Sequence, residues 1–307
     1  MQTERIAILG TGTMGHSIAL GCATNGFPVK IWGHSQADID KGKTDLEEKI
    51  QLLVKEAIID SDEVEKIRSS IVFLSSIEET VDQASFVIEA VPEILTLKQD
   101  LYQKLDALCA QDVILASNTS GLKASEISEK MNYPERMLIT HFWNPAHLIP
   151  LVEVVRHPKT SDSAVARSMA FLKAIGKEPI EVKKEILGAI GNRLQFALLR
   201  EAQHIVATGA ATYEDVDKAV KYSIGRRLSV TGPFLSADMT GLDVCQGIIS
   251  YLNEDLSKDN DGPLINDLIE KGKLGQKNGS GFYEWTDEMS QEINQERERE
   301  LLRWLKK

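Results

Sequence analysis

Cysteine is scarce in this chain: Cys22, Cys109 and Cys245 are the only three in 307 residues. They are widely spaced and form no CxxC pair, which excludes a disulfide framework and a cysteine-rich metal site and leads us to expect a reducing, cytoplasmic setting. Basic charge is also in deficit, with 35 Lys and Arg against 46 Asp and Glu and a formal net charge of -11. Nucleic acid and anionic membrane both want a basic face, so neither is expected as a partner. No apolar run approaches the roughly 18 residues of a membrane span. The chain enters its first strand at Arg5 without a leader-like apolar stretch, so export is not expected. Internal repeats and low-complexity segments are missing too. What remains is an ordinary globular composition, 42% hydrophobic and 26% charged, long enough for two domains with their own cores.

The first organising signal is a strand, a glycine turn and a helix. Arg5 to Leu9 (RIAIL) is a short apolar run that stops at Gly10, and GTGTMG follows, placing glycines at 10, 12 and 15 around Thr13 and Met14 before an apolar-periodic segment to Ala23. Glycines there permit the tight turn and close approach of backbone to a pyrophosphate, and a helix N-terminus favours the anion. Pro28 to Trp32 is the second strand. Where NAD-binding chains usually end that strand in Asp or Glu, this one has Gly33, then His34 and Ser35. A small residue there admits the 2′-phosphate of NADP, yet no arginine stands beside it, so NAD is expected and NADP is the alternative.

A charged helix hairpin is expected over 36–68, broken near Asp60 to Asp62. Its lysines 41, 43, 49 and 55 interleave with Glu47, Glu48 and Glu56, which reads as a solvated face or as a contact for ligand phosphates. Strands follow at 71–74 and 86–91. Glu89 and Glu93 close the latter in EAVPE, and Lys98, five residues beyond Glu93, suggests an ion pair that serves either the cofactor or the helix start. Val113 to Ser117 is a further strand, ending in Asn118, Thr119 and Ser120, which bring short hydrogen-bonding groups to the same sheet edge. Further strands at 137–141, 151–155 and 179–182, with a helix over 162–176, complete a doubly wound, parallel-rich α/β domain.

The stretch around which the rest is organised is HFWNPAHLIPLVE, residues 141–153. Glu153 lies in LVEVV among β-branched residues, where an isolated buried carboxylate would cost several kcal/mol or stay protonated. It therefore needs a partner. His141, at the carboxyl end of the preceding strand, is the nearest candidate in chain order, and open α/β sheets place their ligands at that edge. A His held by a Glu is a general base poised near neutral pH. Two surface loop residues are the alternative.

After Lys184 strand signals cease. Helical periodicity at 187–208, 213–223, 242–253 and 263–271, with glycine stops, defines a second, all-helical domain over 185–307 against a first over 1–184. Asn192 and Arg193 stand at the head of its first helix. QKNGSGFYEW, at 276–285, is a glycine-rich turn ending in aromatics, and a charged amphipathic tail runs from Glu292 to Lys307.

These motifs together resemble the L-3-hydroxyacyl-CoA dehydrogenase family: GTGTMG at 10–15, IEAVPE at 88–93, SNTS at 117–120, HFWNP with PLVEV, GNRL at 191–194, GPF at 232–234 and GSGFYEW at 279–285. The likeness spans nearly the whole chain. It implies a Rossmann domain, a helical domain that makes a homodimer, and an oxidoreductase that uses NAD on a 3-hydroxyacyl-CoA of short chain. It further implies that His141 is the base, Glu153 its orienting partner, and Ser120 and Asn192 the groups that bond the reacting oxygen. Asn118, Asn144, Glu93 and Lys98 would surround nicotinamide and substrate. No metal is implied. The family's relatives include gulonate and carnitine dehydrogenases and a lens crystallin, some of which act on free hydroxy acids. HLIPLVEVVRHPKT and GRRLSVTGPF lean toward them, because Arg226 and Arg227 could clamp a free carboxylate. Gly121 replaces the commoner second serine after Ser120. Asn192, in contrast, keeps the family's residue where the carnitine enzymes have Asp. The free hydroxy acid is thus the alternative substrate, and a nucleotide-binding structural protein without turnover is the remote one.

Overall fold

The computed structural model describes residues 4–305, so the last two residues of the expected charged amphipathic tail lie outside it. The chain forms two compact units. One is Met1–Ile190 with Arg297–Lys307, and the other is Gly191–Glu296.

The first unit is an eight-stranded sheet in the order β3-β2-β1-β4-β5-β6-β7-β8. Its strands are β1 (Ile6–Leu9), β2 (Val29–Trp32), β3 (Ile71–Leu74), β4 (Phe86–Glu89), β5 (Ile114–Ser117), β6 (Met137–Phe142), β7 (Leu151–Val155) and β8 (Glu178–Val182). Interleaved helices are α1 (Thr13–Thr24), α2 (Gln36–Lys55), α3 (Val64–Ser69), α4 (Ile77–Val81), α5 (Leu95–Leu108), α6 (Ala124–Ile127) and α7 (Asp162–Ala174). Strands β1, β4 and β5 are buried along their whole length, which explains why they read as continuous apolar runs rather than as alternating ones. Apolar side chains of alternate residues feed two separate clusters: Ile6, Ile8 and Ile88 belong to one, and Ala7, Leu9 and Val87 to the other. That is the period-two pattern of a sheet covered on both faces. All neighbours pair parallel except β6 with β7, which is antiparallel. Between β1 and β4 the strand order reverses, and the crevice at the carboxyl ends there is where such sheets take ligands.

The second unit is helical: α8 (Gly191–Ala207), α9 (Tyr213–Tyr222), α10 (Ile224–Leu228), α11 (Pro233–Thr240), α12 (Leu242–Asp255), α13 (Pro263–Glu270) and the greater part of α14 (Asp287–Leu305). The sequence placed the start of α8 at Leu187. Positive φ at Gly188 (75°) and Ala189 (46°) delays it to Gly191, since the left-handed conformation cannot continue a right-handed helix. The boundary between the units accordingly falls after Ile190. The end of α14 corrects the expected assignment of the tail: residues from Arg297 onward belong with the first unit, where Leu302 is 2% exposed within the core.

Candidate active site

The glycine turn is built as its sequence requires. A Cβ at Gly10 (φ +116°) would lie 2.6 Å from the Ala90 carbonyl oxygen, and one at Gly15 would lie 1.8 Å from the Gly10 carbonyl oxygen. These two glycines allow the turn to touch β4 and α1 to pack on the turn. Around Gly12 the space is open to 4 Å. Helix α1 begins there with no side-chain cap and no acidic residue in its first turn, leaving its N–H groups and dipole free for an anion. The residues present therefore fit the pyrophosphate of a dinucleotide. Thr13 opens the helix at the surface, while Met14 packs on the hydrophobic core.

Gly33 has a packing reason of its own. A Cβ there would sit 2.5 Å from Ile39 Cγ1 and 3.2 Å from Thr11 Cγ2, so the close approach of α2 is itself a reason for the missing acidic residue.

Directly across the antiparallel β6–β7 pair, His141 faces Glu153. The imidazole Nδ1 lies 2.8 Å from Glu153 Oε2. Glu153 is wholly buried, and its Oε1 accepts the Ile190 backbone N–H at 2.7 Å while Oε2 also accepts the Trp143 indole N–H at 3.3 Å. A carboxylate only accepts, so Nδ1 donates to it and the neutral ring presents its Nε2 lone pair away from Glu153. Ser120, Leu187 and Ala189 line a cleft with His141.

A second buried network sits at the end of β4. Lys98 reaches back from α5 to Glu89 at 2.6 Å and to Glu93 at 3.2 Å, and both Lys98 and Glu89 are fully buried. Glu89 further accepts the Val91 N–H at 2.8 Å and the Ser117 hydroxyl at 2.6 Å. Burial pushes its carboxyl up, opposed by Lys98, Ser117 and Val91. The half-exposed Glu93 carboxyl is also raised by burial, but the Thr119 hydroxyl, Lys98 and the Gly121 N–H outweigh that and hold it below the ordinary range. Asn118 Oδ1 accepts the Phe142 N–H at 2.9 Å, tying β5 to β6 beside His141.

Of the expected site residues, the structure brings His141, Glu153 and Ser120 together, and Glu93 with Lys98 at the neighbouring edge. Asn144 is exposed on the loop between β6 and β7, while Asn192, Arg226 and Arg227 belong to the second unit. There Arg226 lies over the Tyr222 ring, 5.5 Å from its centroid. Sequence reasoning named Glu89 at the strand end but gave Lys98 to Glu93 alone, although the argument that singled out Glu153, a carboxylate within an apolar strand, applies to VIEA equally. Trp143 gave no such signal. Among the described residues no cluster of side chains suited to hold a metal is present, and no helix is long and apolar enough to cross a membrane.

A doubly wound sheet with an anion-ready glycine turn and a His–Glu pair at its carboxyl edge defines a nicotinamide-dependent oxidoreductase. Residues 5–186 match the family model for the 3-hydroxyacyl-CoA dehydrogenase NAD binding domain, and 188–285 match the 3-hydroxyacyl-CoA dehydrogenase C-terminal domain. The chain belongs to the 3-hydroxyacyl-CoA dehydrogenase family, and its cofactor is NAD. Among relatives, 5-formyl-3-hydroxy-2-methylpyridine 4-carboxylate 5-dehydrogenase of Mesorhizobium japonicum is 36% identical over 97% of this chain and 96% of its own length. A probable 3-hydroxybutyryl-CoA dehydrogenase of Bacillus subtilis is 32% identical over 94% of this chain and 100% of its own. L-carnitine dehydrogenase of Pseudomonas aeruginosa is 35% identical over 78% of this chain and 74% of its own. A crystal structure of the pyridine carboxylate dehydrogenase, described as an NAD+ dependent dismutase, superposes with a TM-score of 0.90 at 35% identity and covers 99% of each chain. The (S)-3-hydroxybutyryl-CoA dehydrogenase of Ralstonia eutropha gives 0.79 at 29% identity, over 93% of this chain and 100% of its own.

Proposed function

We propose that this oxidoreductase acts on the hydroxyl-bearing or hydrated carbonyl carbon of a compact molecule with a free carboxylate, rather than on a CoA thioester. The observation that carries this reading is the end-to-end likeness to the pyridine carboxylate dehydrogenase, TM-score 0.90 over 99% of both chains. Two local features support it. In the α2–α3 hairpin, where a CoA phosphate would look for cations, two are held by their own neighbours: Lys41 pairs with Asp45 at 2.5 Å, and Arg68 pairs with Glu47 and Glu65. The second unit carries the exposed Arg226 and Arg227, suited to a carboxylate.

The chemistry asks for a base, a donor to the reacting oxygen and a hydride acceptor. Bound NAD supplies the hydride chemistry. His141 Nε2 takes the hydroxyl proton as the carbon is oxidised, Glu153 holds the ring and stabilises the imidazolium, and Ser120 bonds the forming carbonyl oxygen. Asn118 and Asn144 position the reacting groups around His141. The family and its members named as 3-hydroxybutyryl-CoA dehydrogenases favour a second reading, a short-chain 3-hydroxyacyl-CoA substrate. The deciding experiment follows NADH production or consumption with 3-hydroxybutyryl-CoA and acetoacetyl-CoA beside free hydroxy acids and aromatic hydroxymethyl and formyl acids. Turnover confined to the thioesters would overturn the free-acid reading.

A further inference from the structure

The fully buried Glu89 has no role in the proton transfer, yet three donors from three segments converge on its carboxylate. Its side chain takes hydrogen bonds from Lys98 of α5, from Ser117 at the end of β5 and from the backbone of Val91. Its own carbonyl oxygen accepts the Asn118 N–H at 2.7 Å. Asn118 in turn fixes the Phe142 backbone next to His141. The glycine turn touches the same segment, since a Cβ on Gly10 would meet Ala90 and, at 3.4 Å, the Val91 nitrogen whose hydrogen Glu89 holds. Glu89 also ends β4, which with β1 forms the point where the strand order reverses. In a doubly wound sheet the dinucleotide crosses there, one half over β1 to β3 and the nicotinamide half over β4 to β6.

The charge count at that edge is uneven. Two carboxylates, Glu89 and Glu93, share one ammonium, Lys98. Burial pushes the Glu89 carboxyl up, but the Lys98 ammonium, the Val91 N–H and the Ser117 hydroxyl all meet its oxygens and favour the ionised form. With both carboxylates ionised the triad keeps one surplus negative charge. The two redox forms of the cofactor differ at this point, because the oxidised nicotinamide ring is a cation and the reduced ring is neutral. Nothing else about the two ligands differs in charge.

We propose that Glu89 is a positioning residue that fixes Lys98 and the ends of β4 and β5, and that its charge makes the site discriminate the oxidised from the reduced cofactor in binding. The discrimination acts through the field of the triad and needs no direct contact between Glu89 and the ring.

The test measures binding without turnover. Full-length wild-type protein and Glu89→Gln are titrated with NAD+ by calorimetry and with NADH by its fluorescence. Glu89→Gln keeps the shape and removes the surplus charge, so the ratio Kd(NAD+)/Kd(NADH) should rise by about tenfold, the order of effect of one nearby charge in a partly screened site. A ratio that stays within about twofold overturns the proposal, including when both affinities fall together, because a purely structural role weakens both ligands alike. Should Glu89→Gln fail to fold by circular dichroism, Glu93→Gln removes the same unit of charge from a half-exposed position. It should move the ratio in the same direction, and an unmoved ratio there likewise overturns the idea.

Discussion

His141 and Glu153 stand directly opposite one another on antiparallel strands, with Nδ1 and Oε2 2.8 Å apart. The sheet itself sets this pair, since in such a register opposite side chains lie on one face within about 5.5 Å of each other. A parallel neighbour reached by a long crossover would not have placed twelve-residue neighbours in contact, and the single antiparallel step in this sheet is what does so.

The pair makes the first prediction. His141→Gln removes the base, and kcat should fall by roughly 10² to 10⁴ while NADH affinity and the fold persist. Glu153→Gln keeps the volume but replaces a pure acceptor with a group that also offers N–H to Nδ1, so the ring can settle in the wrong tautomer and kcat should fall by a similar factor. Steady-state kinetics beside NADH titration check both. A Glu153→Gln enzyme with wild-type kcat would show that the pair is only structural.

Substrate choice gives the second. With a free carboxylate as the handle, Arg226→Ala or Arg227→Ala should raise KM by about ten- to a hundredfold, the loss of one charge-assisted pair, while Lys41→Ala and Lys49→Ala leave kcat/KM unchanged. The reverse pattern, with the lysines mattering and the arginines silent, would favour a CoA substrate.

Much of this was legible in the chain. The buried central strands announced themselves as apolar runs, and a carboxylate inside LVEVV demanded a partner that proved to be His141. The Glu89–Lys98 pair was harder, because pairing across nine residues depends on how α5 turns back over the sheet, and Glu93 offered itself as the nearer partner in sequence. The start of α8 was misplaced because helical periodicity continues through Leu187 to Ile190 although the backbone at Gly188 and Ala189 is left-handed. The limit on Gly33 was invisible, since only the folded chain brings Ile39 against it.

That contact yields the third prediction. Introducing an acidic residue to sharpen the choice of NAD over NADP requires Gly33→Asp, whose Cβ would fall 2.5 Å from Ile39 Cγ1. The expected outcome is a destabilised protein, by about 1–3 kcal/mol for overpacking, and weaker binding of both coenzymes. The double change Gly33→Asp with Ile39→Ala, which removes the Cγ1 atom, should relieve the clash and recover part of the loss. Denaturant melts of the three proteins decide it, and a Gly33→Asp variant as stable as wild type would contradict the packing argument.

Assembly gives the fourth. The second unit leaves large apolar side chains uncovered, among them Val230 at 79% exposure, Phe234 at 88%, Met239 at 73% and Tyr251 at 68%. Large apolar side chains left this open mark an association surface, and closed two-fold pairing is the commonest way to cover one. Sedimentation at micromolar concentration should give twice 34.1 kDa, and Phe234→Glu should shift the protein toward monomer. A fully active wild-type monomer would refute this.

The last prediction concerns acid. His147 is 8% exposed, its Nδ1 lies 2.7 Å from the Ser17 hydroxyl, and its backbone N–H is held by the same oxygen. Burial, aided by the nearby positive Lys49 and Lys177, pushes its pKa down to about 3 from an ordinary 6.5. His16 and His157 are lowered in the same direction, chiefly by burial. The sign follows from proton counts. Below 6.5 the unfolded chain binds a proton at each of these rings that the folded protein refuses, so stability is complete above that pH and is lost on acidification toward the folded value. For His147 the loss is about 1.4 kcal/mol per pH unit within that window. Glu4 and Glu93, carboxylates held below their ordinary 4.5, give up their stabilisation only near and below that value, whereas the Glu89 carboxyl is pushed up by burial, so the histidine contribution between pH 6.5 and 5 is read from the difference between wild type and a histidine variant. Unfolding free energies from urea melts across that interval should fall steeply in wild type, and His147→Gln should lower the slope by about 1.4 kcal/mol per unit. Parallel curves for the two proteins would mean that His147 accepts its proton in the folded state after all.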